Sequence, residues 1–560
     1  MEHRDQLKSR WSRLQTERES WRQHWREVSD FLLPTSTRFY TTDRNKGKRR
    51  HNSILDSAAG EALTILASGM MAGMSSPARP WFRLALSDSD LMEYAPVKSW
   101  LADTQRRMLK IFAQSNTYRM LHAVYQELGA FGTSAVIIME DFSNTIHHYH
   151  SPIGEFALAT DYRSRVNTLY REYERTVGEL VGEFGYDNCS RTVRNLHDRG
   201  QLDEWIKIIH AIEPRVDRDP MMKDAKNKAY KSVYFEAGAE EGDNKFLRES
   251  GFDDLPVMAP RWNSLPGDVY GTSPGMTALG DIKSLQHEQL RKSNAIDYQT
   301  KPPLQVPSSM RGREIDWRPG GITFVDQIGP QNGIRSLFDV GLDLNALIMD
   351  IGEVQKRIRS NFHADMFLML AGADTSRMTA TEVAARNEEK MLMIGPVLER
   401  LQNELLKPLI DTTFAFMVQQ GNMAPPPEEL QGVPLDVEFI SVLAQAQRSI
   451  GVNSIDRYLN TVGMVAQMKP EVLDKIDADK WADAYADMLG VDPDLIVPNE
   501  QVAMIRQQRA EQQAQQQQME NMRQMSASAQ ALGNVKTNES NAATDILNLV
   551  SGYGQSPTEV

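Results

Sequence analysis

Residues 271–275, Gly271-Thr272-Ser273-Pro274-Gly275, fit the G-x-S-x-G spacing of a serine nucleophile elbow. In that chemistry a base takes the serine proton, and the backbone N–H after the serine helps to hold the oxyanion. Position 274 is proline and has no N–H to give. The same residues predict a helix start, with Ser273 as N-cap and Pro274 in the first turn. His147, His148 and His150 offer imidazoles, and on a strand His148 and His150 share a face. No cysteine or carboxylate beside them in sequence completes a metal set, so a surface hairpin is expected. Asp477, Asp479, Asp483 and Asp487 include i, i+4 helix pairs, and such runs are usually solvated faces. The single cysteine, Cys189, excludes an intrachain disulfide and a multi-cysteine zinc site. Neither G-x-x-x-x-G-K-[ST] nor G-x-G-x-x-G occurs, so no phosphate-cradling loop is signalled. These residues support no catalytic centre, cofactor site or metal site, and a non-enzyme is expected.

The elements that would position such groups are mostly long helices. The stretch 379–420 opens with a T-x-x-E capping box at Thr379–Glu382 and ends before Gly421. Val383, Met391, Ile394, Leu398, Leu401, Leu405 and Leu409 recur at steps of three, four or their sums, with Asn387 as the polar interruption. Roughly forty helical residues would span about 60 Å. Gly395-Pro396 and Pro408 fall inside this rod and predict kinks. A long kinked helix suits an assembly subunit better than a compact enzyme.

The chain has 560 residues, a formal net charge of −13 and 41% hydrophobic residues. That is enough apolar material for several cores. The acidic balance argues against a tight grip on nucleic acid, which needs many Lys/Arg–phosphate contacts. Local basic clusters do occur, at Arg44, Lys46, Lys48, Arg49 and Arg50, and at Arg311, Arg313 and Arg318. The N-terminus carries no apolar signal-peptide core, and no apolar run reaches membrane-spanning length. A soluble protein, assembled in a reducing cytoplasm, is expected.

Along the chain, residues 1–33 predict an amphipathic helix with Leu7, Trp11, Leu14, Trp21, Trp25, Val28 and Leu32 on one stripe, broken by Arg18. It docks either on its own domain or on a neighbouring subunit. Helices are expected at Ile54–Met74, Tyr94–Ala113 and Thr117–Phe131. Between 134 and 262 the period changes to that of strands, at Ser134–Met139, Thr145–His150, Glu155–Thr160, Val166–Tyr173, Trp205–Ile212, Ser232–Glu236 and Lys245–Glu249. Thr176–Glu179 is a second capping box. A helix from Pro274, a Pro/Gly-rich insert at 302–333, a helix over about Ile334–Phe362 and a Met-rich loop at 364–378 lead into the long rod. A strand at Asp436–Ile440, short helices over 442–490 and a Gln-rich helix from Asn499 complete the chain. Gln507–Gln518 reads equally as part of a multi-chain bundle or as a solvated helix. The fold class is α+β, mainly helical, with an extended multi-part subunit.

Four segments, WRQHWREVSDFLLPTSTRF, PVMAPRWNSLPGDVYGTSPGMTALGDIKSLQ, MTATEVAARNEEKMLMIGPVLERLQNELLKPLID and VEFISVLAQAQRS, resemble in sequence and order the head-to-tail connector, or portal, proteins of short-tailed bacteriophages. The resemblance covers nearly the whole chain. It implies a ring, typically of twelve subunits, at one capsid vertex of the virion, through which double-stranded DNA is packaged and ejected. It implies as partners a terminase packaging motor, a tail adaptor, and capsid and scaffolding proteins, and no membrane. It also implies a layout: a wing at 1–270, a first stem helix at 271–299, a clip at 300–335, a second stem helix at 336–362, a tunnel loop at 363–378, the kinked helix at 379–420, a return strand to the wing at 421–441, a crown at 442–497 and a Gln-rich helix with a mobile tail at 498–560. Met366, Met369, Asp374 and Arg377 are then candidates to face the channel. Arg311, Arg313, Trp317 and Arg318 are candidates to dock partners at the clip, and Gly395-Pro396 marks the kink. The competing readings are a capsid scaffold or tail adaptor without a channel, and more remotely a serine hydrolase using Ser273.

Overall fold

The computed structural model describes residues 3–34, 53–86, 94–219, 224–238, 246–300, 344–370, 393–430, 435–441 and 499–533, with shorter stretches between them. The chain forms two compact units, Met1–Leu473 and Asp474–Val560. The architecture is mixed α+β with several small antiparallel sheets.

In the first unit, α1 (His3–Leu32) lies on its own domain. Its N-terminal half packs Leu7, Trp11 and Leu14 against Tyr170, Ile209, Val233 and Phe235. Trp11 stacks on Tyr170 with centroids 6.2 Å apart. Its C-terminal half sends Trp25, Val28 and Leu32 into the main core. Arg18, the polar break in the stripe, is itself buried. Its guanidinium donates to the carbonyl of Phe156 and lies over the Trp11 ring. Burial holds its pKa below the usual arginine value. A stripe interrupted in sequence is thus continuous in space, because the long side chain buries its stem and satisfies its head on a backbone oxygen.

The sheet beneath α1 has the order β4–β5–β6–β7–β8, all antiparallel: β4 (Phe156–Thr160), β5 (Val166–Thr176), β6 (Trp205–Pro214), β7 (Tyr230–Glu236) and β8 (Arg248–Phe252). Its other face is covered by Val177, Leu180 and Phe184 of α5 (Val177–Phe184) and Val193 of α6 (Arg191–Asp198). The first helix starts with the expected capping box, Thr176 and Glu179 exchanging both hydrogen bonds. The Arg191–Asp198 helix was not legible as a separate element. Its signal is the N-cap Ser190, whose side chain accepts from the Val193 N–H.

The main core is built around α2 (Ala58–Met74), whose small residues allow close approach on several sides. α2 meets α4 (Thr117–Phe131), which meets the hairpin of β2 (Ala135–Asp141) and β3 (Thr145–Ser151). A short strand, β9 (Val257–Met258), pairs with the free side of β2. The hairpin is not at the surface, as the sequence suggested. β2 is largely buried, and His148 of β3 is 3% exposed. The reason is long-range: α4 covers a face whose alternation reads as polar only because histidines occupy it.

β1 (Phe82–Leu86) pairs antiparallel with β12 (Leu435–Phe439), so the strand expected near 436–440 returns to a partner close to the start of the chain. α3 (Ala95–Gln114) packs beside β1. Two long helices, α7 (Pro274–Thr300) and α8 (Leu344–Asn361), pack together. Between them β10 (Leu304–Gln305) pairs with β11 (Arg335–Ser336). Residues 335–336 are therefore extended, where the second helix is expected from about 334 or 336. The helix is described only from Leu344. Strand pairing across the insert overrides local periodicity, since strand preference depends on a partner distant in sequence.

The Met-rich segment after α8, expected as a loop, is helical over α9 (Ala364–Leu370). In the second unit the Gln-rich segment, exposed over 507–518, lies within one helix, Asn499–Gly533. There the Arg506 guanidinium makes a forked pair with Asp479, at 2.5 and 2.7 Å.

Candidate functional site

Ser273 is buried and caps α7: its hydroxyl accepts from the Met276 N–H at 3.0 Å and donates to the Ala130 carbonyl at 2.8 Å. It has no histidine partner and faces no open site, so the nucleophile reading fails for want of both a base and access. The three histidines diverge. His148 meets Thr117 Oγ1 through Nε2 at 2.9 Å, and Asn116 brackets its backbone. Burial, then repulsion from His147, drives its pKa down to about 3. His150 meets Glu127 Oε2 at 2.9 Å, beside Ser134. Burial opposes its charge, but the Glu127 carboxylate wins and raises its pKa. The carboxylate invisible in local sequence comes from α4. No cluster able to hold a metal occurs among the described residues. Asp477 accepts from two backbone N–H groups at a helix start, and Asp479 is committed to Arg506.

The candidates for an architectural site lie on α7, α8, α9 and the helix that follows. Asp56 fastens the first two to α2. Its Oδ2 accepts from Gln289 of α7 at 2.7 Å and Gln355 of α8 at 2.9 Å, while Oδ1 accepts from the Ala58 N–H. Gln286 of α7 returns the grip, with its carbonyl oxygen accepting from the N–H groups of Leu55 and Asp56. Arg357–Asp281 at 3.2 Å adds an exposed ion pair between α7 and α8, of the kind worth little by itself.

Met366, a candidate for the channel wall, is buried on α9. Beside it Phe367 lies so close to α2 that a Cβ on Gly69 would sit 2.3 Å from the ring. Met369 is half-buried on the same helix. Asp374 and Arg377 lie outside the described residues, as do Arg311, Arg313, Trp317 and Arg318 and the capping box at Thr379–Glu382.

Residues 393–401 are α-helical through Gly395 and Pro396. The helix type changes later, at Gln402–Leu406, which forms a π turn ahead of α10 (Lys407–Gln419). The Lys407 N–H bonds the Gln402 carbonyl, five residues back instead of four. Pro408 is the local cause: it has no N–H for the Glu404 carbonyl, and its ring would press on that carbonyl in an α-helix. Leu401, Leu405, Leu409, Thr413 and Met417 are all buried and spaced by four. On a regular α-helix each such step drifts about 40°, so the row would wander off its face. The wider turn takes up the drift. That run of fours, with Pro408 in its middle, is a signal of the wide turn in the sequence itself.

Glu404, inside the π turn, is held by Arg261. The Arg261 backbone N–H donates to Oε2 at 2.9 Å and Nη2 to Oε1 at 2.6 Å. Arg261 Nη2 also donates to the Ser164 carbonyl at 3.0 Å, and its side chain is only 6% exposed. Arg400 donates to the Trp262 carbonyl at 3.1 Å. The Trp262 N–H in turn donates to the carbonyl of Gly132, whose φ of 75° ends α4. α10 ends at Gly421, as expected, with φ of 66° and the Asn422 N–H closing on the Met417 carbonyl. An apolar groove of about 570 Å³ runs between α10, Trp100 and β12, lined by Leu84, Phe414, Val418, Pro425 and Val437.

A sequence profile described as bacteriophage head to tail connecting protein matches residues 4–497. The probable portal protein of Bordetella phage BPP-1 is 56% identical over 547 residues, covering 98% of this chain and 98% of the relative. The portal protein of Salmonella phage epsilon15 is 44% identical over 547 residues, covering 97% and 98%. Among solved structures, a chain of the virion of a native gene transfer agent particle is 10% identical with a TM-score of 0.36, covering 83% of this chain and 99% of that one.

Proposed function

The chain belongs to the bacteriophage head-to-tail connecting protein family, and from that membership we propose how its parts divide a portal's work. It is a phage portal protein, a structural component of the virion and not an enzyme. The observation that carries this is collinear similarity over nearly the full length of two phage portal proteins.

In this proposal about twelve copies close into a ring by head-to-tail contacts at one capsid vertex, and double-stranded DNA passes through the centre. Residues 1–270, joined by β12, form the wing. α7 and α8 form the stem, and the chain between them the clip, where a terminase motor and later a tail adaptor dock through Arg311, Arg313, Trp317 and Arg318. Capsid and scaffolding proteins meet the outside of the ring. Residues 442–497 form the crown, extended by the Gln-rich helix. The clasp at Asp56 supports the stem assignment, since it fixes both long helices to one rigid core helix. β10 and β11 support the clip assignment, because they close the base of the insert. The net charge of −13 supports a conduit that lets DNA slide, because few phosphate contacts means little grip. Met366 serves the core; Met369, Asp374 and Arg377 are the remaining channel candidates.

Mass measurement and class-averaged electron micrographs of the purified assembly test this. Twelve subunits of 63.3 kDa give a ring of about 0.76 MDa with a central hole. A monomer or dimer under every assembly condition would overturn the proposal. Within assembled rings, Arg377→Glu should change the amount of DNA packaged or retained. Unchanged DNA content would remove Arg377 from the channel.

A further inference from the structure

We propose that the Arg261–Glu404 pair is a rotational lock. It holds about one residue of surplus turn at Gln402–Leu406 and so sets the angle at which residues 393–401 lie against the core.

Three independent observations meet here. The turn is wider than an α-turn, with the Lys407 N–H reaching five residues back. The Glu404 side chain inside that turn is fastened to the Arg261 side chain and backbone, on a segment anchored to the end of α4. The apolar rows on either side, Ile394, Leu398 and Leu401 before and Leu409, Thr413 and Met417 after, are buried together only because the turn between them is wide. Pro408 makes the wide turn acceptable, but a proline alone specifies no direction. Arg261 supplies the direction, since its backbone N–H and guanidinium donate to the two carboxylate oxygens in one orientation.

If the pair is cut, the turn can tighten to α-geometry. Each residue of 393–401 then turns by about 100° relative to α10, into the place its N-terminal neighbour held. Position 399, now exposed, would take the buried place of Leu398. Position 393, now 69% exposed, would stay exposed, because it moves toward the exposed side occupied by Pro396. Residues 393–401 belong to the helix that follows the proposed tunnel loop at 363–378, so any consequence for the channel rests on the portal reading, whereas the rotation itself does not.

Thiol labelling of the full-length protein reads the rotation. Cys189 is buried and provides the background. Glu399→Cys and Met393→Cys are each placed in the parent and in Glu404→Ala. The expected result is at least tenfold slower labelling at position 399 in Glu404→Ala, with position 393 unchanged. Parent rates at both positions overturn the lock; faster labelling at both means fraying and overturns it too. A third chain combines Glu404→Ala with deletion of Asn403, which removes the surplus residue and returns 393–401 to its parent angle. It should restore fast labelling at 399. It should also restore folding if Glu404→Ala alone fails to fold, and failure of either rescue refutes the proposal. Loss of rings with normal labelling would count against the portal assignment and leave the lock standing.

Discussion

Acidification from pH 7 to pH 5 should cost this fold about 2 kcal/mol at His148 alone. Its Nδ1 is buried with no partner, and its Nε2 is engaged by Thr117. A proton on the ring would put an N–H where nothing accepts it, beside His147. The folded imidazole therefore stays neutral down to about 3, whereas an unfolded one binds a proton near pH 6.5. Between these values the unfolded chain holds more protons, so stability is complete above about pH 6.5 and falls as pH drops toward 3. At pH 5 the unfolded population gains a factor of about 30, which is about 2 kcal/mol at 0.59 kcal/mol per natural-log unit. The assay is denaturant unfolding followed by tryptophan fluorescence at both pH values, in the parent and in His148→Gln. The glutamine keeps a polar atom for Thr117 and cannot titrate. The acid loss should shrink by about 2 kcal/mol in the variant. Other titrating groups cancel in the comparison: His210, driven well below its ordinary value by burial and then by Arg171 and Arg248, and His150, raised and hence stabilising as pH falls. Equal acid losses in the two proteins, within about 0.5 kcal/mol, would refute the burial argument for His148.

Gly69→Ala gains up to about 1 kcal/mol of helix propensity, but its methyl group meets the Phe367 ring. Overpacking of about 1–3 kcal/mol should win, releasing α9, and limited proteolysis should then cut within 364–370 sooner than in the parent. Ser273→Ala should lower stability by about 1 kcal/mol through loss of a helix cap, a shift visible in thermal unfolding, and should leave ring formation intact.

Much of the fold is legible because its signals are local. The Thr176–Glu179 box, the stop at Gly421 and the cap at Ser273 each need only a few neighbouring residues, and each holds. What was not legible depends on partners far away in sequence. Residues 335–336 extend because 304–305 pair with them. His148 is buried and His150 half-buried because α4 lies over them, and Glu127 of that helix supplies the carboxylate that local spacing could not show. α9 is helical where small residues suggested a loop, because Gly69 leaves room for Phe367 against α2. The kinks in the rod at 379–420 are read from proline positions, which locate Pro408 but not the wide turn before it. The Arg261–Glu404 pair was invisible, since 143 residues separate its members.

The pairing of β1 with β12 bears on how this subunit is made. Arg83 and Glu438 meet at 2.7 Å across 355 positions of chain. At 5–20 residues per second, β1 waits on the ribosome for roughly 20–70 s before its partner strand exists. During that time its edge is a template for other strands, and so a hazard for nascent chains crowded on one message. The loop that must close is long, yet closure entropy grows only with the logarithm of length, so the delay is a matter of synthesis time more than of free energy. Ribosome-bound chains stopped before residue 435 should aggregate more than chains released at full length, and equal solubility of the two would show that α3 already shields the strand.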